Sequence, residues 1–114
     1  KRKGSIINII DIHVDPPLKN HIIYNLSKAG LLALTQSLAK DLAPTVRVNG
    51  ISPGAIMWPK SINKKRKKEI ISKIALKRIG EPDDIAKTIL FLITNGDYIT
   101  GQNINVDGGR RLNM

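Results

Sequence analysis

The sequence predicts an α/β fold built on a parallel sheet. Three observations support this. Short apolar, strand-like segments alternate with helical patterns, giving the order β-α-β-α-α-β. The helical patterns are long enough to serve as crossovers between parallel strands, which favours right-handed connections. Pro16-Pro17, Pro44 and Pro82 fall at the junctions rather than inside the elements.

The first element is Gly4-Ser5-Ile6-Ile7-Asn8-Ile9-Ile10-Asp11, a nearly continuous apolar run that reads as a buried strand with an acid at its C-terminal end. Asn8, inside that run, is expected to satisfy a neighbouring backbone group. Residues 11–22 read as a loop broken by Pro16-Pro17. A helix is expected from about Ile23 to Leu42, where Leu31, Leu34, Leu38 and Leu42 form an apolar ridge and Ala29 and Ala33 permit close packing on another side. Pro44 stops it, because the residue before a proline is disfavoured in helical geometry. Val46 to Ser52 reads as a second strand running into Pro53-Gly54. A basic helix is expected over Ile62 to Leu76, with Ile70, Ile71 and Ile74 as its apolar stripe. Pro82 suits the first turn of a further helix, and Asp83 and Asp84 suit its positive dipole end. Ile85, Ile89, Leu92 and Ile93 share one face, and Asn95-Gly96 ends the element. Asn103 to Val106 forms the last strand, closed by Asp107-Gly108-Gly109.

The candidate chemistry lies in Asp11, Tyr24 and Lys28. Tyr24 and Lys28 are spaced i, i+4, so their side chains leave one helix face. An ammonium near a phenol favours the phenolate and lowers the phenol pKa. Asp11 sits at a strand end, where parallel α/β sheets bind their ligands. An ionised carboxylate cannot donate a hydrogen bond, so Asp11 could act as a donor only if desolvation raised its pKa. Asn49 and Ser52 read as structural.

The pattern Asp11…Tyr24-Asn25-Leu26-Ser27-Lys28, the turn Asn49-Gly50-Ile51-Ser52-Pro53-Gly54 and the ending Thr100-Gly101-Gln102…Val106-Asp107-Gly108-Gly109 resemble the short-chain dehydrogenase/reductase family. That family has a serine where this chain has Asp11. The replacement, with Pro16-Pro17-Leu18 and Pro53-Gly54-Ala55-Ile56-Met57-Trp58-Pro59, resembles its pteridine reductase branch. The likeness spans residues 4–109. It implies that residues 1–114 are the C-terminal half of a Rossmann-like doubly wound parallel sheet, within a single domain roughly twice as long. The opening βαβ unit, with its glycine-rich phosphate turn, would lie outside this stretch.

The resemblance further implies NADPH-dependent reduction of dihydropterins, and of folates as a related substrate. NADP(H) would be the cofactor. The proton would pass through Asp11, Tyr24 and Lys28: a protonated Asp11 would deliver it to the ring nitrogen, Tyr24 would donate or relay it, and Lys28 would hold the nicotinamide ribose. Pro53, Gly54 and Ile56 would run beside the nicotinamide carboxamide. Asp11 and Tyr24 would meet the substrate, with Trp58, the sole tryptophan, as a wall of its pocket. The helix bearing Tyr24 and Lys28 would pack on a second subunit, giving a homodimer or homotetramer. The alternative enzymatic reading is carbonyl reduction of the 3-oxoacyl-carrier-protein type, against which Asp11 argues. A non-catalytic remnant or basic binding module is the alternative outside catalysis.

Composition narrows these choices. The formal charge is +10, with 19 Lys and Arg against 9 Asp and Glu. The densest run, Lys60 to Lys68, has few aromatic neighbours and no base-stacking platform, so it reads as a solvated helix face rather than a nucleic-acid surface. With no cysteine there is no disulfide framework or thiolate, and His13 and His21 lack companion metal ligands. No apolar run approaches the ~20 residues of a membrane span, and the expected location is cytoplasmic.

Overall fold

The computed structural model describes residues 3–114. Its elements are strand β1 (Gly4–Ile9), helix α1 (Ile22–Leu42), strand β2 (Val46–Pro53), helices α2 (Lys64–Ser72) and α3 (Pro82–Thr94), and strand β3 (Asn103–Val106). Short 3-10 turns at Ile12–Val14 and Arg110–Asn113 follow β1 and β3. The strands form one sheet, ordered β1-β2-β3, and both pairings are parallel as expected.

Alternation along the strands assigns the two faces. Asn8 donates to Thr35 Oγ1 of α1 at 2.9 Å. Its register partner is Gly50, so Val48, Gly50 and Ser52 face α1 with it. Arg47 and Ile51 face the other way, toward α3. The core therefore straddles β2: Val48, Ile51 and Leu92 are wholly buried, with Thr35, Asn49 and Ser52 equally inaccessible. Asn49 donates to Ile99 O at 2.9 Å and accepts from Gln102 N at 3.0 Å. Ser52 donates to Asn103 Oδ1 at 2.7 Å. These two polar side chains tie β2 to β3 and its approach, a structural role.

Arg47 does what the sequence pattern does not announce. Its guanidinium donates to Gly96 O at 2.7 Å, Leu92 O at 2.8 Å and Ile99 O at 3.3 Å. The last turn of α3 leaves carbonyls without helical partners, and a cation there also opposes the negative dipole end. Arg47→Met keeps the apolar stem and removes every donor. It is expected to cost on the order of 2–3 kcal/mol in denaturant unfolding, with Arg47→Lys recovering part of the loss. An unchanged unfolding midpoint would refute this role.

Three expectations need correction. β1 is not a buried strand, since Ile6 and Ile9 are 37% and 43% exposed. It pairs only with β2 among the described residues, and its helices pack mainly over β2. The basic helix is shorter than Ile62 to Leu76. It starts after Asn63, whose side chain accepts from Arg66 N at 2.8 Å, and stops at Ser72, with Lys77 in the left-handed region at φ 58°. Asn8 bonds a threonine side chain rather than backbone.

The site end of the sheet is set by close backbone approach. A Cβ on Gly54 would lie 2.9 Å from Asp107 Cα, and Gly54 N donates to Val106 O at 3.0 Å. Only glycine lets the ends of β2 and β3 lie so near.

Candidate active site

The site forms where β1 and β2 end. Asp11 leaves β1 in an extended conformation and caps the following 3-10 turn, accepting from His13 N at 2.8 Å. That cap fixes the carboxylate at the strand end. One oxygen, Oδ1, also meets His13 Nδ1 at 2.9 Å. The other, Oδ2, accepts a hydrogen bond from the Tyr24 phenol.

Tyr24 and Lys28 project from the same face of α1, as the i, i+4 spacing predicts. Lys28 Nζ donates to Ile9 O at 3.1 Å and lies 5.8 Å from the centre of the Tyr24 ring. The strand end thus gathers all three predicted side chains: the acid touches the phenol, and the ammonium holds the carbonyl two residues before the acid.

The electrostatics differ from the expectation. Partial burial pushes the Tyr24 phenol up, and the hydrogen bond to Asp11 and that carboxylate's charge push it further, to about 12. The expected lowering by Lys28 does not prevail, because Asp11 is in contact with the hydroxyl while the ammonium is turned to Ile9 O. Asp11 also runs opposite to the donor role. Burial alone would raise its carboxyl. The hydrogen bonds from Tyr24 and from the His13 backbone and ring outweigh that and hold it below the ordinary carboxylate value. At neutral pH the pair is an ionised carboxylate accepting from a protonated phenol.

Pro53 and Gly54 line the same small cleft as Asp11, about 240 Å³ in volume. Ile56 and Trp58 do not. Both line a separate cavity with Ile71 and Ile79, and Lys67 Nζ sits 5.7 Å from the Trp58 ring. Trp58 is therefore not a wall of the Asp11 cleft, because the chain leaves it after Ala55, whose carbonyl accepts from Gly80 N at 2.8 Å.

Sequence reasoning missed several neighbours of these side chains. His13 was weighed only as a metal ligand; its position two residues after a strand-end acid is the signal of an acid-capped turn. Asn25 holds the loop in front of α1, donating to Leu18 O at 2.7 Å and accepting from Leu18 N at 3.2 Å. Arg66 and Arg110 reach the cleft from α2 and from the turn after β3. Among the described residues no group of three or more His, Cys, Asp or Glu is placed to hold a metal, and no helix is long and apolar enough to cross a membrane.

Comparison with known proteins bears on this arrangement. A family model described as enoyl-(acyl carrier protein) reductase matches residues 1–111. A 3-oxoacyl-[acyl-carrier-protein] reductase of Thermotoga maritima is 39% identical over 116 residues, covering 96% of this chain and 46% of the relative. The chain thus spans about half the length of the curated relatives it matches. Among solved structures, a short-chain dehydrogenase/reductase of Brucella melitensis superposes with a TM-score of 0.82 at 33% identity, covering 93% of this chain and 43% of the other. The FolM alternative dihydrofolate reductase 1 of Brucella canis, solved with NADP, gives 0.86 at 35% identity, covering 97% and 44%. The substrates in these names differ, so they do not single out the pteridine branch. What they share is the family, and the Tyr-x-x-x-Lys face and the parallel sheet agree with it: this chain belongs to the short-chain dehydrogenases/reductases.

Proposed function

We propose that this chain is the C-terminal half of an NADPH-dependent reductase that transfers hydride to a C=N bond of a dihydropterin, with folates as related substrates. The observation that carries this reading is the Asp11–Tyr24 pair. A reduced carbonyl develops negative charge on oxygen, and an ionised carboxylate beside it would oppose that charge. A pterin instead presents ring N–H and amino donors, which a carboxylate accepts. Its reduction needs one proton at the ring nitrogen next to the carbon that receives hydride. Tyr24, protonated at neutral pH, supplies that proton, and Asp11 orients the phenol and the substrate's donors.

The residues present fit a nicotinamide nucleotide. The Tyr24 hydroxyl and the Lys28 ammonium flank one end of β1, and Pro53 and Gly54 flank the neighbouring end of β2. When bound, the nicotinamide supplies the hydride. Lys28 would hold its ribose, and Pro53, Gly54 and Ile56 its carboxamide. α1 presents Ile22, Ile23, Leu26 and Leu34 to solvent, at 79%, 78%, 68% and 49% exposure, so a second copy packing on this helix would suit that face. The cytoplasm is the compartment this reading implies.

Carbonyl reduction of the 3-oxoacyl type is the second reading. The names of the curated relatives favour it more broadly than they favour pterin reduction, since several are 3-oxoacyl-[acyl-carrier-protein] reductases. On the pterin side stand Asp11 itself and the FolM structure. Turnover by the full-length enzyme, with Asp11 and with Asp11→Ser, separates the two. The pterin reading expects dihydropterin reduction in the parent and its loss in Asp11→Ser. Pterin turnover unchanged by the substitution would remove Asp11 as the basis of the first reading, and a parent that reduces only a 3-oxoacyl thioester would establish the second.

A further inference from the structure

One side chain in the Asp11 cleft has no role in the scheme above. The cleft is lined by a single acid, Asp11, and by two arginines, Arg66 and Arg110. Arg66 is largely exposed and pairs with Glu69 at 3.3 Å. Arg110 is different. Its Nη1 is buried and makes no hydrogen bond. No carboxylate lies within 4 Å of its guanidinium among the described residues. Asp11 is committed to Tyr24 and His13. Asp107, three residues earlier, accepts from Gly109 N at 3.0 Å and Arg111 N at 2.9 Å.

A buried donor nitrogen left without an acceptor is rare in native structures and calls for a specific explanation, and for a cationic group an anion site is one. A guanidinium offers several N–H groups in a planar fork suited to carboxylate or phosphate oxygens. The backbone behind Arg110 is fixed: Gly109 lies at φ 85°, and Arg110 N donates to Asp107 O at 3.1 Å. The fork is thus presented from a braced turn.

We propose that Arg110 is the anion-recognising residue of the substrate cleft and that the preferred substrate bears an anionic group, a carboxylate or phosphate, that meets its guanidinium. Arg66, at the outer wall of the same cleft, adds to the positive potential that draws such a group in. The proposal rests on the reductase reading. On the pterin branch of that reading the anion is the carboxylate of a folate-type tail. On the carbonyl branch it is the phosphate of a carrier-linked thioester.

The test compares two substrates that share a reacting group and differ in charge, dihydrofolate and dihydrobiopterin, in the full-length enzyme with Arg110, Arg110→Met and Arg110→Lys. Arg110→Met is expected to raise KM for dihydrofolate by about tenfold or more, the loss of one charge-assisted hydrogen bond, and to leave kcat and the dihydrobiopterin KM within about twofold. Arg110→Lys should restore part of the dihydrofolate affinity. Equal changes for both substrates, or no change in either, would overturn the proposal, the first by showing a merely structural role. If neither pterin is reduced, the pterin reading fails separately. The same contrast is then read with an acetoacetyl thioester of phosphopantetheine against the neutral N-acetylcysteamine thioester. A phosphate preference lost in Arg110→Met supports the subsite, and one that persists overturns it.

Discussion

A Tyr24→Phe enzyme is expected to lose about 10²–10⁴-fold in kcat while still binding NADPH with its usual affinity. The phenol hydroxyl is the donor that meets Asp11 Oδ2 at the strand end. Lys28 is turned to Ile9 O at 3.1 Å, and Asp11 is held ionised. Phenylalanine keeps the ring and its place on α1 but leaves Asp11 Oδ2 without its phenolic partner. The carboxyl would then rise toward its ordinary value, since one of the interactions that lowers it is gone. Steady-state kinetics with dihydropterin, alongside equilibrium titration of NADPH, checks both halves. A kcat within a few-fold of the parent would mean that the proton comes from elsewhere, and the assignment of Tyr24 would fall.

The sequence made the framework readable because framework signals are local. Helix periodicity, Pro44 and Pro82, and the apolar runs at β1 and β2 each act within one element, and the observed boundaries of α1, α3 and β3 lie within a residue or so of expectation. Asp11, Tyr24 and Lys28 were also legible, since strand-end placement and i, i+4 spacing are geometric consequences of the elements that bear them. What was not legible depends on long-range approach. Arg47 reaches the end of α3 about fifty residues away, and Arg110 enters the Asp11 cleft from the far end of the chain. Neither has a periodic neighbour to announce it. Trp58 was misplaced for the opposite reason: it is near Gly54 in sequence, but the chain turns away before reaching it. The phenol pKa was misjudged because charge alone was counted. Lys28 is four residues from Tyr24, yet the interaction that decides the outcome is the direct contact with Asp11.

Asp11→Asn should bring the Tyr24 phenol down from about 12 toward its ordinary value near 10. The substitution removes a negative charge that opposes the phenolate, and the amide keeps an acceptor for the hydroxyl. Ultraviolet difference titration of the phenolate against the matching Tyr24→Phe variant follows it directly. The stability profile should change in the matching sense. Tyr24, raised in the folded state, contributes stability that is fully present below the unfolded phenol value and lost as pH rises through about 12. Asp11, lowered in the folded state, contributes stability that is present above the unfolded carboxyl value and lost as pH falls through its depressed one. Removing the carboxylate should therefore flatten the unfolding free energy at both ends of the pH range. A phenol titration unmoved by Asp11→Asn would show that burial alone holds Tyr24 up. The same variant also separates acidity from orientation. Asp11→Asn makes Tyr24 the stronger acid, so a rise in pterin turnover would mean that Asp11 merely restrains its neighbour. A fall, despite the more acidic phenol, is the expected result, because the carboxylate's task in this site is to receive the donors of the substrate and aim the hydroxyl.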